Sequence, residues 1–231
     1  MTRVVQSEGN KGSLKWIQRL INDYPNLINE QLSSGIDLSE GENIEWVSPL
    51  RSDDYAEYRD SSFVERLGIS LERRTLDSFW PKRGPQWDAL GRTNNEKIFI
   101  VEAKAHIEEI VSSSTQASKS SRLVIEESLR ETKTFLGVDQ SIDWLGTFYQ
   151  YTNRLAHLYL LRELNGINAY LVFLYFLNDT EMNGPQSIRE WQAATKVLKA
   201  SIGLRQHPFL RYIIDIFIDV PELKDQYAQR I

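Results

Sequence analysis

Two runs constrain this chain more than any others, "KIFIVEAKA" (97–105) and "AYLVFLYFL" (169–177). Both are apolar at successive positions and lack the alternation of a strand with one wet face. A strand of that kind is a central one, buried on both faces, so helices have to flank the sheet on either side. The pattern around these runs supplies them. Apolar positions recur at helical spacing at Leu14, Ile17, Leu20 and Ile21, and again at Leu27, Ile28 and Leu32, with Pro25 interrupting. Two short helices, or one broken at the proline, therefore occupy 13–32, and "SSGIDLSEGEN" (33–43) is a turn-rich linker.

Further along, "IEWVSPL" (44–50) reads as a short strand, 51–69 as a capped helix ended by Gly68, and 70–80 as containing a strand. "WDALGR" (87–92) and "KIFIVEAKA" form a hairpin across the polar turn "TNNE". Six serines and a threonine crowd 112–121, which predicts a mobile or substrate-ordered loop before a helix at 122–135. A helix is expected over 144–165 with Gly166 as its stop, then the central strand, a helix at 187–201 and a last strand at 212–220. The order helix, three strands, helix, strand, helix, strand predicts an α/β fold with a mixed β-sheet flanked by helices. A single domain is expected over 1–231: an N-terminal helical extension and linker (13–43), a core (51–177) and a C-terminal extension packed on it (178–231).

Composition excludes several classes. Six Trp, ten Tyr and nine Phe in 231 residues argue against disorder. No apolar run is long enough to span a bilayer as a helix, and the amino terminus has no apolar signal core, so a cytoplasmic protein with no membrane partner is expected. Zero cysteines exclude disulfides and thiolate zinc sites, and three separated histidines offer no dedicated zinc site. No glycine-rich phosphate loop and no nucleophile elbow is present. The net charge of −5 does not suit a protein that coats nucleic acid, although 188–211 carries a local charge of +4. Trp80, Trp87 and Trp144 are expected in the core, with base stacking as the less favoured role. His106 reads as a polar residue at a strand end, and His207 has no assigned role.

The chemistry lies where the first buried run ends. Side chains alternate along a strand, so Glu102 and Lys104 share the face of Ile98 and Ile100, while Phe99, Val101 and Ala103 take the other. The same Glu-x-Lys spacing at Glu131–Lys133 and Glu222–Lys224 lies in polar, helical surroundings, where a solvated ion pair accounts for it. Only Glu102 and Lys104 close a buried strand opposite a second carboxylate, Asp88. Two charges beside buried apolar surface cost several kcal/mol unless each finds a partner. Asp88 and Glu102 suit a hard divalent cation, Mg²⁺ or Mn²⁺, with the backbone carbonyl of Ala103 as a third oxygen. Lys104 then sits beside the attacking water or the reacting phosphorus.

The set Asp88…Glu102-x-Lys104 resembles the PD-(D/E)XK nuclease superfamily. "GPQWDALG", "VEAKAH" and "YQYTNRLAHLY" are similar to a group of uncharacterised bacterial proteins more than to a restriction enzyme. The resemblance covers about 51–177 and implies a restriction-endonuclease-like fold with an α-β-β-β-α-β core. Asp88 is preceded by Pro85-Gln86-Trp87 rather than directly by proline. The resemblance also implies a carboxylate from the first core helix, for which Glu57 is favoured over Asp60 and Glu65. It further implies a polar cluster on the helix after the third strand. Gln150, Asn153, Arg154 and His157 form such a cluster, and Gln150 and Arg154 are expected at the scissile phosphate or the metal-site carboxylates. The expected activity is metal-dependent hydrolysis of nucleic acid, DNA favoured, guided by the basic segment 188–211 and the serine-rich loop. The alternatives are an inactive interaction module on the same scaffold and a hydrolase of a small phosphorylated substrate. A homodimer is left open.

Overall fold

The computed structural model describes residues 2–225, so the end of the expected C-terminal extension, 226–231, lies outside the described residues. In chain order the elements are β1 (Arg3–Val4), α1 (Gly12–Asp23), α2 (Pro25–Gly35), β2 (Ile44–Ser48), β3 (Glu57–Tyr58), α3 (Ser61–Leu67), α4 (Leu76–Phe79), β4 (Ala89–Thr93), β5 (Ile98–Lys104), α5 (Lys119–Leu136), α6 (Tyr149–Tyr159), β6 (Ala169–Leu177), α7 (Ile188–Ser201), β7 (Ile213–Asp219) and α8 (Glu222–Asp225). Five strands form one mixed sheet in the order β2-β4-β5-β6-β7. The hairpin side, β2-β4-β5, is antiparallel, and β5, β6 and β7 run parallel. This is the α/β architecture, a mixed sheet between helical layers, that the buried runs predict.

The alternation along β5 sorts the two cores. Ile98 and Ile100 face one core with α5, α6 and α7, through Ile125, Leu129, Leu155, Leu158, Trp191 and Leu198. Phe99, Val101 and Ala103 face the other, built by Trp16, Ile17, Leu20, Ile28 and Leu32 of α1 and α2. The N-terminal helices are thus one of the two covering layers, and β2 brings the sheet's start forward of residue 51. Pro25 sits at the first position of α2, where its missing N–H costs nothing. No described helix is long and apolar enough to cross a membrane.

Three sequence expectations fail, each for a local reason. The 70–80 segment holds the short helix α4 and no strand; the first strand of the meander is β2. The backbone N–H groups of Arg73 and Arg74 donate to the side chain of Asn165 instead of to a ladder. Next, the helix expected over 51–69 is only Ser61–Leu67, because Asp54, Tyr55 and Asp60 take positive φ and Glu57–Tyr58 is drawn out as β3 against β1. Gly68 does end it, at φ 71°. Last, the 144–165 helix begins at Tyr149 and passes at Leu160–Leu164 into a π-helical turn. Before it, buried Trp144 is pinned by its Nε1–H to the carbonyl of Ile202.

The serine-rich segment forms neither helix nor strand over 112–118, and it is anchored at two points: Ser112 N–H donates to the Thr147 carbonyl at 2.8 Å, Thr115 N–H to that of Leu145 at 3.1 Å, and Gln150 N–H to Ser112 Oγ at 3.0 Å.

Candidate active site

At the carboxyl end of β5 the sheet opens into a cleft of about 660 Å³. This end of a strand is where open α/β sheets place ligands. Asp88, Glu102, Ala103, Lys104, Glu57, Gln150, Asn153 and Arg154 all line this cleft.

Glu102 is the centre. Its Oε1 accepts from Lys104 Nζ at 2.5 Å, and its Oε2 accepts from Arg154 Nε at 2.7 Å and forms an ion pair with Nη2 at 2.5 Å. Burial by itself would raise this carboxyl, but Arg154 and Lys104 outweigh burial and hold it below the usual carboxylate range. Lys104 Nζ also donates to Gln150 Oε1 at 3.0 Å. An ammonium has three donors, so one stays free for the cleft. Arg154 is 4 % exposed and directed inward: besides Glu102 it donates to Asn153 Oδ1 at 2.8 Å and to the Gln86 carbonyl at 2.8 Å. It also lies over the Trp87 ring at 4.9 Å. Arg154, expected at the scissile phosphate or the carboxylates, lies against the Glu102 carboxylate.

Asp88 immediately precedes β4. Its N–H donates to the Val101 carbonyl at 3.2 Å, and its Oδ2 accepts from Ala103 N–H at 2.7 Å. Its carboxyl lies deep against the strands, although the residue keeps some surface toward the cleft. Burial, then the negative charges of Glu102 and Glu57, push it well above the usual range. Backbone groups two residues apart on a strand face the same edge, so the Ala103 carbonyl follows that of Val101 toward the β4 side, beyond the point where β4 begins.

This donor set fits a hard divalent cation. Two carboxylates and a main-chain carbonyl line the same cleft, and a cation there would offset the burial and the repulsion by Glu102 and Glu57 that push the Asp88 carboxyl up. Among the described residues no three His, Cys, Asp or Glu side chains are arranged to hold a metal. Asp88 and Glu102, with the Ala103 carbonyl, would leave the remaining positions around a cation to water and substrate, as is common for Mg²⁺.

Glu57 reaches the cleft from β3, not from a helix as expected. Its Oε2 accepts from Gln6 at 3.0 Å and from the Gln86 amide, while burial raises the carboxyl. Asp60 binds the Arg83 and Gly84 N–H groups at 3.2 and 2.9 Å, and Glu65 points to solvent. His157 is buried among Trp80, Trp87 and Phe63 and donates its Nδ1–H to the Asn153 carbonyl at 2.8 Å, so it belongs to the core. Trp80, Trp87 and Trp144 are buried too, which removes Trp87 and Trp144 from base stacking and leaves Trp80 as part of the cleft wall. His106 pairs with Glu108 at 2.9 Å beyond the strand end.

The basic side chains of 188–211 do not line the cleft. Lys196, Lys199 and Arg205 line a separate depression, and Lys199 pairs with Asp215 at 2.8 Å on β7, level with Glu102 but two strands away across β6. The serine-rich loop, in contrast, forms a cleft wall through Ser112–Gln116. Gln86, Gln6 and Arg83 were not foreseen as site residues. Gln86 precedes Asp88 by two, the spacing of one strand face, which is a readable signal. Gln6 had none, since it arrives only by the pairing of β1 with β3.

No protein-family model, curated protein or solved structure matches the chain. Fold and site alone define its class: a mixed α/β protein with a buried carboxylate–lysine–arginine centre at the carboxyl end of its parallel strands.

Proposed function

We propose that the chain is a divalent-metal-dependent phosphodiesterase of the PD-(D/E)XK type, a nuclease with DNA as the favoured substrate. The observation that carries this is Lys104, held between Glu102 and Gln150 on the strand that faces Asp88, with one donor left toward the cleft. The strand order supports it: an antiparallel meander, then helices, then β6 parallel to β5, follows the α-β-β-β-α-β order of that superfamily.

Asp88, Glu102 and the Ala103 carbonyl would hold Mg²⁺ or Mn²⁺, which when bound supplies Lewis-acid polarisation of water and phosphate oxygens. The chain's own residues do the rest. Arg154 on one oxygen of Glu102 and Lys104 on the other fix the orientation of its carboxylate. Gln150 and Glu102 aim the Lys104 ammonium, whose remaining N–H meets either the attacking water or the charge that develops on the phosphoryl oxygens. Glu57, kept in the cleft by Gln6 and Gln86, supports the water or a second ion.

A hydrolase of a small phosphorylated substrate is the second reading, since about 660 Å³ lies within the range of small-molecule sites. The test is to incubate wild type and Lys104→Ala with DNA, RNA and a single-diester ester, each with Mg²⁺ or Mn²⁺. Wild type is expected to cleave and Lys104→Ala to lose on the order of 10²–10³-fold in kcat. Equal cleavage by both would remove Lys104 from the mechanism, and no cleavage by either would favour the interaction module.

A further inference from the structure

Three cations line the cleft, and two are spent on Glu102. The third, Arg83, has an exposed side chain with no ion pair or hydrogen bond among the described residues. We propose that Arg83 binds a second phosphate of the substrate, one that flanks the scissile diester. The inference rests on the phosphodiesterase reading and narrows it, because it makes the substrate a strand with at least two phosphates rather than a lone diester.

The depth of the cations separates two subsites. Lys104 and Arg154 lie at the floor with side chains 11 % and 4 % exposed, so a phosphate that meets Lys104 has entered the protein. Arg83 stands at the rim. In this reading a phosphate at Lys104 leaves Arg83 to a neighbouring phosphate of the same strand.

The backbone around Arg83 is held in place while its side chain is left unpartnered. Arg83 itself has φ 67° and Asp60 has φ 53°, both in the region that disfavours residues with a Cβ. The Asp60 carboxylate accepts the N–H groups of Arg83 and Gly84, and so fixes the turn. Two residues on, Gln86 donates to Glu57 and its carbonyl accepts from Arg154, which ties the same loop to the cleft floor. A loop constrained at both ends keeps its arginine at a set distance from the reaction centre. The lining carries four carboxylates, Glu57, Asp88, Glu102 and Glu109, against these three cations. A polyanion entering such a cleft gains most from a charge not already neutralised, and a planar guanidinium offers two parallel donors to phosphate oxygens.

The test compares wild type, Arg83→Ala and Arg83→Lys on two substrates with Mn²⁺, a short single-stranded oligonucleotide and bis(4-nitrophenyl) phosphate, which has one diester. Arg83→Ala should raise KM for the oligonucleotide about tenfold or more, with kcat little changed, and leave the single diester untouched. The slope of log kcat/KM against log salt should become shallower by about 0.7–1, and Arg83→Lys should recover part of the loss. Unchanged oligonucleotide kinetics in Arg83→Ala, an equal loss on both substrates, or a wild type that cleaves only the single diester would each overturn the proposal. A wild type that hydrolyses neither overturns the phosphodiesterase reading itself, and this inference with it.

Discussion

Glu102 sets the electrostatics of the site at the scale of a single residue. It is a buried carboxylate whose two oxygens are each taken by a cation, so its charge is tolerable only while both remain. Arg154→Met removes one partner and leaves the carboxylate under-neutralised in the interior. The expected cost is about 3 kcal/mol, read from the midpoint of urea unfolding. Glu102→Gln in the same chain should return much of it, because the uncompensated charge is then gone. A cost of a few tenths of a kcal/mol for Arg154→Met would mean that solvent reaches the pair. Lys104 differs from Arg154 in its placement: all three guanidinium nitrogens of Arg154 donate to protein and its side chain is 4 % exposed, whereas Lys104 makes two hydrogen bonds with three donors and lines the cleft. That difference makes Arg154 a positioning residue.

At the scale of elements, the site depends on how β4 is laid between β2 and β5, because Asp88 is carried into place at the start of β4. Trp46 on β2 lies opposite Gly91 on β4, and a Cβ at Gly91 would sit 2.9 Å from the Trp46 ring. The indole is buried on the side of α1 and α2 and holds Asn29 through its Nε1–H at 2.9 Å. Gly91→Ala is therefore expected to cost about 1–3 kcal/mol by overpacking, measured as a fall in the urea midpoint. Trp46→Phe in the Gly91→Ala background should relieve part of that cost; no relief would place the strain elsewhere. The hairpin register that sets Asp88 beside Ala103 is the same register that sets Gly91 under Trp46, so packing and chemistry share one constraint.

Acid stability is a property of the whole molecule, and His157 controls part of it. Burial lowers its imidazole from 6.5 to about 3, so the folded protein excludes a proton that the unfolded chain accepts. Stability from this group is present above pH 6.5 and is lost as pH falls from 6.5 toward 3, on the order of 4 kcal/mol in all. Glu102, held low by its cations, has the same sign at more acid pH, whereas buried Asp88, pushed up, has the opposite one. The difference between wild type and His157→Phe isolates the histidine. Wild type should lose stability relative to the variant between pH 6.5 and 4.5, as followed by urea midpoints. Parallel curves would show that water or a local opening protonates His157 in the native state.

The α/β class, both buried strands, the two-face alternation of β5 and the Asp88, Glu102 and Lys104 set were legible in the sequence. The reason is that each follows from local periodicity or from charge placed where apolar surface makes it expensive. The N-terminal helices could be recognised as helices from their spacing, but not as a covering layer of the sheet, since periodicity shows which side of a helix is apolar and not what it meets. Glu57 on a strand, Gln6 beside it, the basic segment in a depression apart from the cleft and the serine loop as a cleft wall came only from tertiary structure. Each is decided by contacts between segments distant in sequence, such as β1 with β3 and Thr115 with Leu145, whose pairing leaves no period in the chain.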